Sequence, residues 1–206
     1  MTSYPAVSTS RLARPLLTVL LLAALPACPA AAQTERWVVD STKSRVGFDA
    51  FHPFGNFSGA SEGPTGEIEI DIQDLKKPVQ GTVVAPVATL RTGKAGRDRD
   101  LRQALDGERN PSIRYRIDKM ESAFVSLAEN TDMLLTIHGV LSMRGTDGPV
   151  TFLGRLRLRG ATLWARGESR IRPADFGVPP LRSWLVPTRE YVLATFDLIL
   201  TKAQSQ

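Results

Sequence analysis

Apolar and polar residues alternate along much of this chain, most sharply in Glu67-Ile68-Glu69-Ile70-Asp71-Ile72, where three isoleucines interleave with three acids. A pleated strand sends successive side chains to opposite faces, so this run has one apolar and one solvated side, which helical winding would mix. Val150–Arg159 follows the same rule with opposite charge: Val150, Phe152, Leu156 and Leu158 share one face, Arg155, Arg157 and Arg159 the other. Similar runs at Trp37–Asp40, Arg45–Phe51, Val79–Val87, Ser112–Met120, Met133–Val140, Thr162–Ile171 and Tyr191–Thr201 predict further strands. Turn residues punctuate the series at Gly63-Pro64, Asp106-Gly107, Asp147-Gly148 and Pro179-Pro180.

One segment has a different period. Arg97–Leu105 is rich in helix formers, carries Asp98 and Asp100 early, spaces Leu101 and Leu105 one turn apart, and is followed by Gly107, which predicts a short amphipathic helix. The two acids sit two positions apart and point to different faces, so the spacing favours a first-turn role over a catalytic pair. An antiparallel set of about eight to ten strands with one helix suggests a closed barrel or a sandwich, because closure removes exposed edges. A barrel of around eight strands has an interior just wide enough for a slender ligand. No repeat or long linker divides residues 33–206, which read as one domain.

The chain has 206 residues, 42% apolar and 23% charged, an ordinary globular composition. One cysteine and two histidines exclude a disulfide framework and a structural zinc cluster, and give no support for a metal or cofactor. Residues 1–32 have the form of a secretory signal: Arg11 and Arg14, an apolar core Leu16–Leu25, and Ala30-Ala31-Ala32. Its core is about half the roughly 20 residues a membrane-spanning helix needs. Removal takes away two arginines, no acid and the only cysteine, so the formal charge of +5 shrinks and the product is mildly basic. These features predict a periplasmic protein. The alternative is a lipoprotein anchored through Cys28, since Leu25-Pro26-Ala27-Cys28 resembles a lipobox, with Pro26 a departure.

The chemical motifs are weak. Gly59-Ala60-Ser61-Glu62-Gly63 matches G-x-S-x-G, but it leads into an alternating strand rather than a helix, so it reads as a turn and not a nucleophile elbow. His52 and His138 are candidate general bases for an enzyme on a small or lipid substrate; spacing assigns neither a partner, and a hydrogen-bonded polar residue at a strand end is the plainer reading. Arg155, Arg157, Arg159, Arg166 and Arg170 form either a solvated outer face or a transient contact for anionic lipid head groups. Poor aromatic interleaving argues against nucleic acid. No phosphate-cradling glycine loop is present.

In their order along the chain, several segments resemble the YceI-like family of bacterial secreted proteins. Trp37–Phe48 resembles its opening strand, turn and second strand; Leu90-Arg91-Thr92-Gly93 followed by Arg97–Arg102 resembles its "T-G…R-D-x-H-L-R" helix. Asn110–Tyr115 is similar to "Y-P-x-I-x-F", Leu135–Val140 with Gly148-Pro149-Val150 to "L-T-x-H-G-V…P-V", and Asp175-Phe176-Gly177 to "D-F-G". Departures are Asp100 in place of histidine, Asn110 in place of an aromatic, and an insertion-like Leu141–Asp147 that lengthens the hairpin after His138. The resemblance runs from about Trp37 to Leu200.

It implies an all-β fold, an extended antiparallel lipocalin-like barrel whose apolar interior holds a polyisoprenoid such as an isoprenoid quinone or a prenyl pyrophosphate. The implied role is non-enzymatic periplasmic binding, transport or storage, with dimerisation left open. Alternation makes Phe48, Ile68, Ile70, Val83, Ile113, Tyr115, Phe152, Leu156 and Leu158 the candidate lining residues, with Arg97 and Arg102 placed to meet a polar head group. The alternative is that these side chains fill the core and the arginines pair with surface acids, leaving a stress-related interaction module with a packed barrel.

Overall fold

A computed structural model describes residues 2, 34–51, 55–179 and 190–203. Apart from Thr2, the expected signal segment lies outside the described residues, as do Cys28, His52 and Pro180. The alternating runs, together with Phe57–Glu62, become strands β1 (Glu35–Val39), β2 (Arg45–Ala50), β3 (Phe57–Glu62), β4 (Thr65–Ile70), β5 (Gln80–Pro86), β6 (Ser112–Ser122), β7 (Met133–Met143), β8 (Thr146–Arg159), β9 (Thr162–Ile171) and β10 (Val192–Lys202), and the described residues also hold an α-helix, α1 (Ala95–Ala104).

All these strands join one antiparallel sheet in the order β1-β4-β5-β6-β7-β8-β9-β10-β2-β3, and β1 also pairs with β10, which closes it. Two walls are each built from two strands in succession. β1 and β2 both run along β10, with Val39 opposite Leu200 and Arg45 opposite Asp197. The bulge between them keeps its backbone groups bonded: Asp40 N donates to Ile199 O at 2.8 Å, and the Ser44 hydroxyl accepts from Ile199 N at 2.9 Å. β3 and β4 form the neighbouring wall in the same way, joined at Gly63-Pro64. The result is an eight-walled, up-and-down, lipocalin-like barrel.

Two expectations are corrected. Gly59–Gly63 is not a turn: residues up to Glu62 belong to β3, and Ser61 is 1% exposed, its hydroxyl 2.8 Å from Pro86 O. The segment's small residues concealed its strand character because Gly59 lies under the Phe48 ring instead of presenting a side chain of its own. Asp147-Gly148 is not a turn either, whereas Leu141–Asp147 lengthens the hairpin as expected. It lengthens β7 and β8, which meet at a two-residue turn with positive φ at Arg144 (54°) and Gly145 (76°), and this carries Asp147-Gly148 into β8.

One end of the barrel is solid. Trp37, Ile70, Leu75, Leu127, Met133, Leu156, Leu163 and Leu200 pack there, and the backbone bonds Leu75 N to Val125 O and Leu127 N to Ile72 O tie the closing loops together. At the other end α1 lies across the strands, with Leu101 and Leu105 packed among Val87, Leu90, Phe48 and Ile113. The arginines of β8 and β9 face outward. Arg155 is directly opposite Arg166, whose charge is balanced on the next strand by Asp197 at 2.5 Å.

Candidate ligand-binding chamber

Between the packed end and α1 the interior is hollow, leaving a cavity of about 220 Å³. Every wall contributes: Val46 and Phe48 from β2, Ile68 from β4, Val83 and Ala85 from β5, Ile113, Tyr115 and Ile117 from β6, Ile137 and Leu141 from β7, Phe152 from β8, Ala165 and Ile171 from β9, and Ala194, Phe196 and Leu198 from β10. The surface is almost wholly carbon.

Its tyrosine and serine hydroxyls are already engaged. The Tyr115 hydroxyl lies 2.9 Å from Val150 O and 3.1 Å from Ile137 O, so its single proton is directed at the wall. Burial pushes this phenol above its ordinary range and keeps it neutral. Gly139 makes the arrangement possible, because a Cβ there would stand 2.9 Å from the Tyr115 oxygen. The Ser61 hydroxyl is shared between Pro86 O and Thr89 Oγ1, both at 2.8 Å. Tyr115, Phe152 and Phe196 form a row of edge-packed rings with centroids 5.0 and 5.4 Å apart.

Of the candidates drawn from alternation, Phe48, Ile68, Val83, Ile113, Tyr115 and Phe152 line this cavity. Ile70, Leu156 and Leu158 do not; they face inward one level lower, within the packed end. Arg97 and Arg102 also lie outside the lining, because both fasten the helix. Arg97 donates to Thr92 Oγ1 at 2.9 Å and Thr92 O at 2.6 Å and stacks 4.2 Å above the Phe57 ring centre, while Arg102 donates to Leu90 O at 3.3 Å. Buried Asp98 completes the clasp: its carboxylate accepts from Thr92 N at 2.7 Å and from Thr92 Oγ1 at 2.5 Å. Chiefly through the hydroxyl bond, its pKa is held below the usual carboxylate value.

Leu90, Leu101, Leu105, Met143 and Val178 line the cavity without having been candidates. The one-turn spacing of Leu101 and Leu105 was the available signal; Leu90 and Val178 come from connections with no periodic pattern, and Met143 from the end of β7, beyond the run Met133–Val140. His138 alternates outward from Ile137, with Nδ1 3.1 Å from Thr151 Oγ1 and Nε2 3.6 Å from Glu121, away from the cavity. Among the described residues no group of three or more His, Cys, Asp or Glu is arranged to hold a metal ion. A larger groove, about 1140 Å³, crosses the outer faces of seven strands, but Arg45, Arg155, Arg166, Glu168 and Asp197 line it and it is open to solvent. The smaller inner chamber is the one that can exclude water from a hydrocarbon.

An eight-walled barrel, solid at one end and hollow beneath a helix at the other, belongs with the small antiparallel barrels whose interiors accommodate one slender ligand. Within that class the chain is a member of the YceI-like family, whose domain model matches residues 37–198. A polyisoprenoid binding domain from Saccharophagus degradans, implicated in plant cell wall breakdown, is similar in structure, with a TM-score of 0.65 and 17% identity over 83% of this chain and 100% of that one. BcnA from Burkholderia cenocepacia is similar at TM-score 0.66 and 19% identity, over 78% and 98% of the two chains. The YceI protein of Campylobacter jejuni is similar at TM-score 0.55 and 14% identity, over 71% and 85%. At these identities the likeness is one of fold. No curated protein matches the sequence.

Proposed function

We propose that this protein binds an isoprenoid lipid, such as an isoprenoid quinone or a polyprenyl pyrophosphate, in the barrel interior and carries or stores it without chemical change. The observation that carries this reading is the chamber's chemistry: a carbon surface whose tyrosine and serine hydroxyls are already bonded to the protein, so that a bound hydrocarbon leaves neither of them unpaired. Burial of apolar surface then supplies affinity at roughly 25 cal/mol per Å² with few polar contacts needed. The structural similarity to a polyisoprenoid binding domain supports the same reading.

The lipid reading is tested by organic extraction of natively purified protein followed by mass spectrometry. An isoprenoid in stoichiometric amount is the expected result; repeated recovery of lipid-free protein, with a lipid-binding control retaining its ligand, would refute it.

Localisation in the periplasm, after removal of residues 1–32, is part of the proposal and rests on the signal-like N-terminus. The intact mass of protein isolated from a bacterial host separates a product beginning after Ala32 from one beginning at a lipidated Cys28.

A further inference from the structure

We infer that the protein docks on an anionic phospholipid membrane through the outer face of α1 and the segment leading into it, so that the chamber end of the barrel is the end turned toward the bilayer. This goes beyond ligand binding: the docking surface lies outside the chamber, and its evidence does not depend on what the chamber holds.

The basic residues of this segment fall into two sets. Arg97 and Arg102 are half-buried and direct their hydrogen bonds to Thr92 and Leu90. Arg91, Lys94 and Arg99 are exposed, and among the described residues no acid forms an ion pair with any of them. Of the two acids in the same stretch, Asp98 is buried and bonded to Thr92, and Asp100 is half-buried. Folding has therefore sorted the charges, and an approaching surface meets the cations first. Ala95, Arg99 and Gln103 form the solvent line of α1 at four-residue spacing, with Gly96 beside it, so the neighbours of Lys94 and Arg99 on that line are small or neutral and a flat surface can come close.

Arg91 is held in place by its backbone, which exchanges two 2.9 Å hydrogen bonds with Ala60 of β3, and by its guanidinium, which donates to Ala88 O and Leu90 O. Asp106 and Glu108 follow the C-terminal end of the helix, where Arg109 lies 3.7 Å from Asp106, so the excess positive charge belongs to residues 91–102. On the side wall, by contrast, Arg157 and Arg166 are matched by Asp132 and Asp197 at 2.6 and 2.5 Å. The opposite end of the barrel is packed solid and the sheet is closed, so the cations stand at the end by which a hydrocarbon from a bilayer reaches the interior.

The test is cosedimentation of the purified protein with vesicles of phosphatidylcholine alone and with vesicles containing about one third phosphatidylglycerol. Each basic residue near an anionic membrane is worth about fivefold in binding, so the three predict roughly a hundredfold preference for the anionic vesicles at low salt. The preference is expected to shrink as salt rises from about 0.01 M to about 0.15 M and the Debye length falls from about 30 Å to about 8 Å. Lys94→Gln combined with Arg99→Gln is expected to lower anionic binding roughly 25-fold with an unchanged urea midpoint. Arg155→Gln combined with Leu153→Ser, on the side wall, is expected to leave it unchanged.

Equal binding to both vesicles, or binding lost with the side-wall pair and kept with the helix pair, overturns this inference. Failure to bind either vesicle overturns the membrane as the partner of these cations. The isoprenoid reading, tested separately by extraction of bound lipid, stands in each case.

Discussion

Phe48 lies directly opposite Gly59 across the β2/β3 pair, and its ring covers the glycine so closely that a Cβ on residue 59 would stand 2.5 Å from Phe48 Cε1. The aromatic side chain and the missing one form a single unit that turns the Phe48 ring into the chamber wall beneath α1. Gly59→Ala is expected to cost about 1–3 kcal/mol, read from urea unfolding, because the ring must leave its seat. Combined with Phe48→Ala the same change is expected to cost only a few tenths of a kcal/mol. Additive losses in the double variant would show that ring and glycine are not coupled.

Ala194 faces the hollow part of the barrel from β10. Adding bulk to a filled core usually costs about 1–3 kcal/mol, so Ala194→Leu, growing into free space, is expected to cost less than about 1 kcal/mol. It should also lower isoprenoid loading by about tenfold or more, since a leucine takes volume the ligand needs. A large stability loss with undiminished loading would mean that the ligand sits elsewhere and that this region is packed.

The helix is held by Thr92, which bonds Asp98 through both its backbone N and its hydroxyl and receives Arg97 on its own oxygens. Thr92→Val keeps the shape and deletes the hydroxyl. Hydrogen exchange is expected to quicken over residues 95–104 while the strands of the packed end keep wild-type protection. Uniform acceleration across the barrel would show instead that the clasp supports the whole fold.

Asp40 secures the bulge between β1 and β2. Its carboxylate accepts from the Thr42 hydroxyl at 2.6 Å and Thr42 N at 3.0 Å and pairs with Lys43 at 2.9 Å, and the Thr42 hydroxyl bond leads in lowering its pKa to about 2 from 3.8. A carboxylate with a depressed folded value stabilises fully above its unfolded value and loses that contribution as pH falls through the folded one. The difference in urea midpoint between wild type and Asp40→Asn should therefore be constant from about pH 7 to about pH 5 and close as pH approaches about 2. A difference that persists undiminished at about pH 2 would assign the effect to the amide's geometry and not to charge.

Much of the barrel was legible in the chain because a strand's two-residue period is a local property. The isoleucines of β4 and the leucines of β8 announce which side chains point inward, and Leu101 with Leu105 announces the helix and its buried face. β3 was hidden because Phe57-Ser58-Gly59-Ala60-Ser61-Glu62 has little apolar bulk; its strand geometry is imposed by pairing with β2, and its glycine by a ring from that neighbour. The arginines that suggested a head-group site are claimed by Thr92 and Leu90, carbonyl and hydroxyl partners brought within reach only when the helix folds back over the preceding segment.

The chain alone determines the period, the faces and the kind of surface each strand presents. It does not determine the height of a side chain inside the barrel. Ile68 and Ile70 share one face of one strand, yet Ile68 borders the hollow chamber while Ile70 is sealed in the cluster that contains Trp37. That difference comes from register and closure. Pairing β1 with both β4 and β10 brings Trp37, Leu163 and Leu200 into one cluster that fills the interior, while the small side chains of Ala85 and Ala194 leave less bulk in the hollow part. A cavity is a deficit summed over side chains from every wall, so it exists only once distant strands have been set side by side.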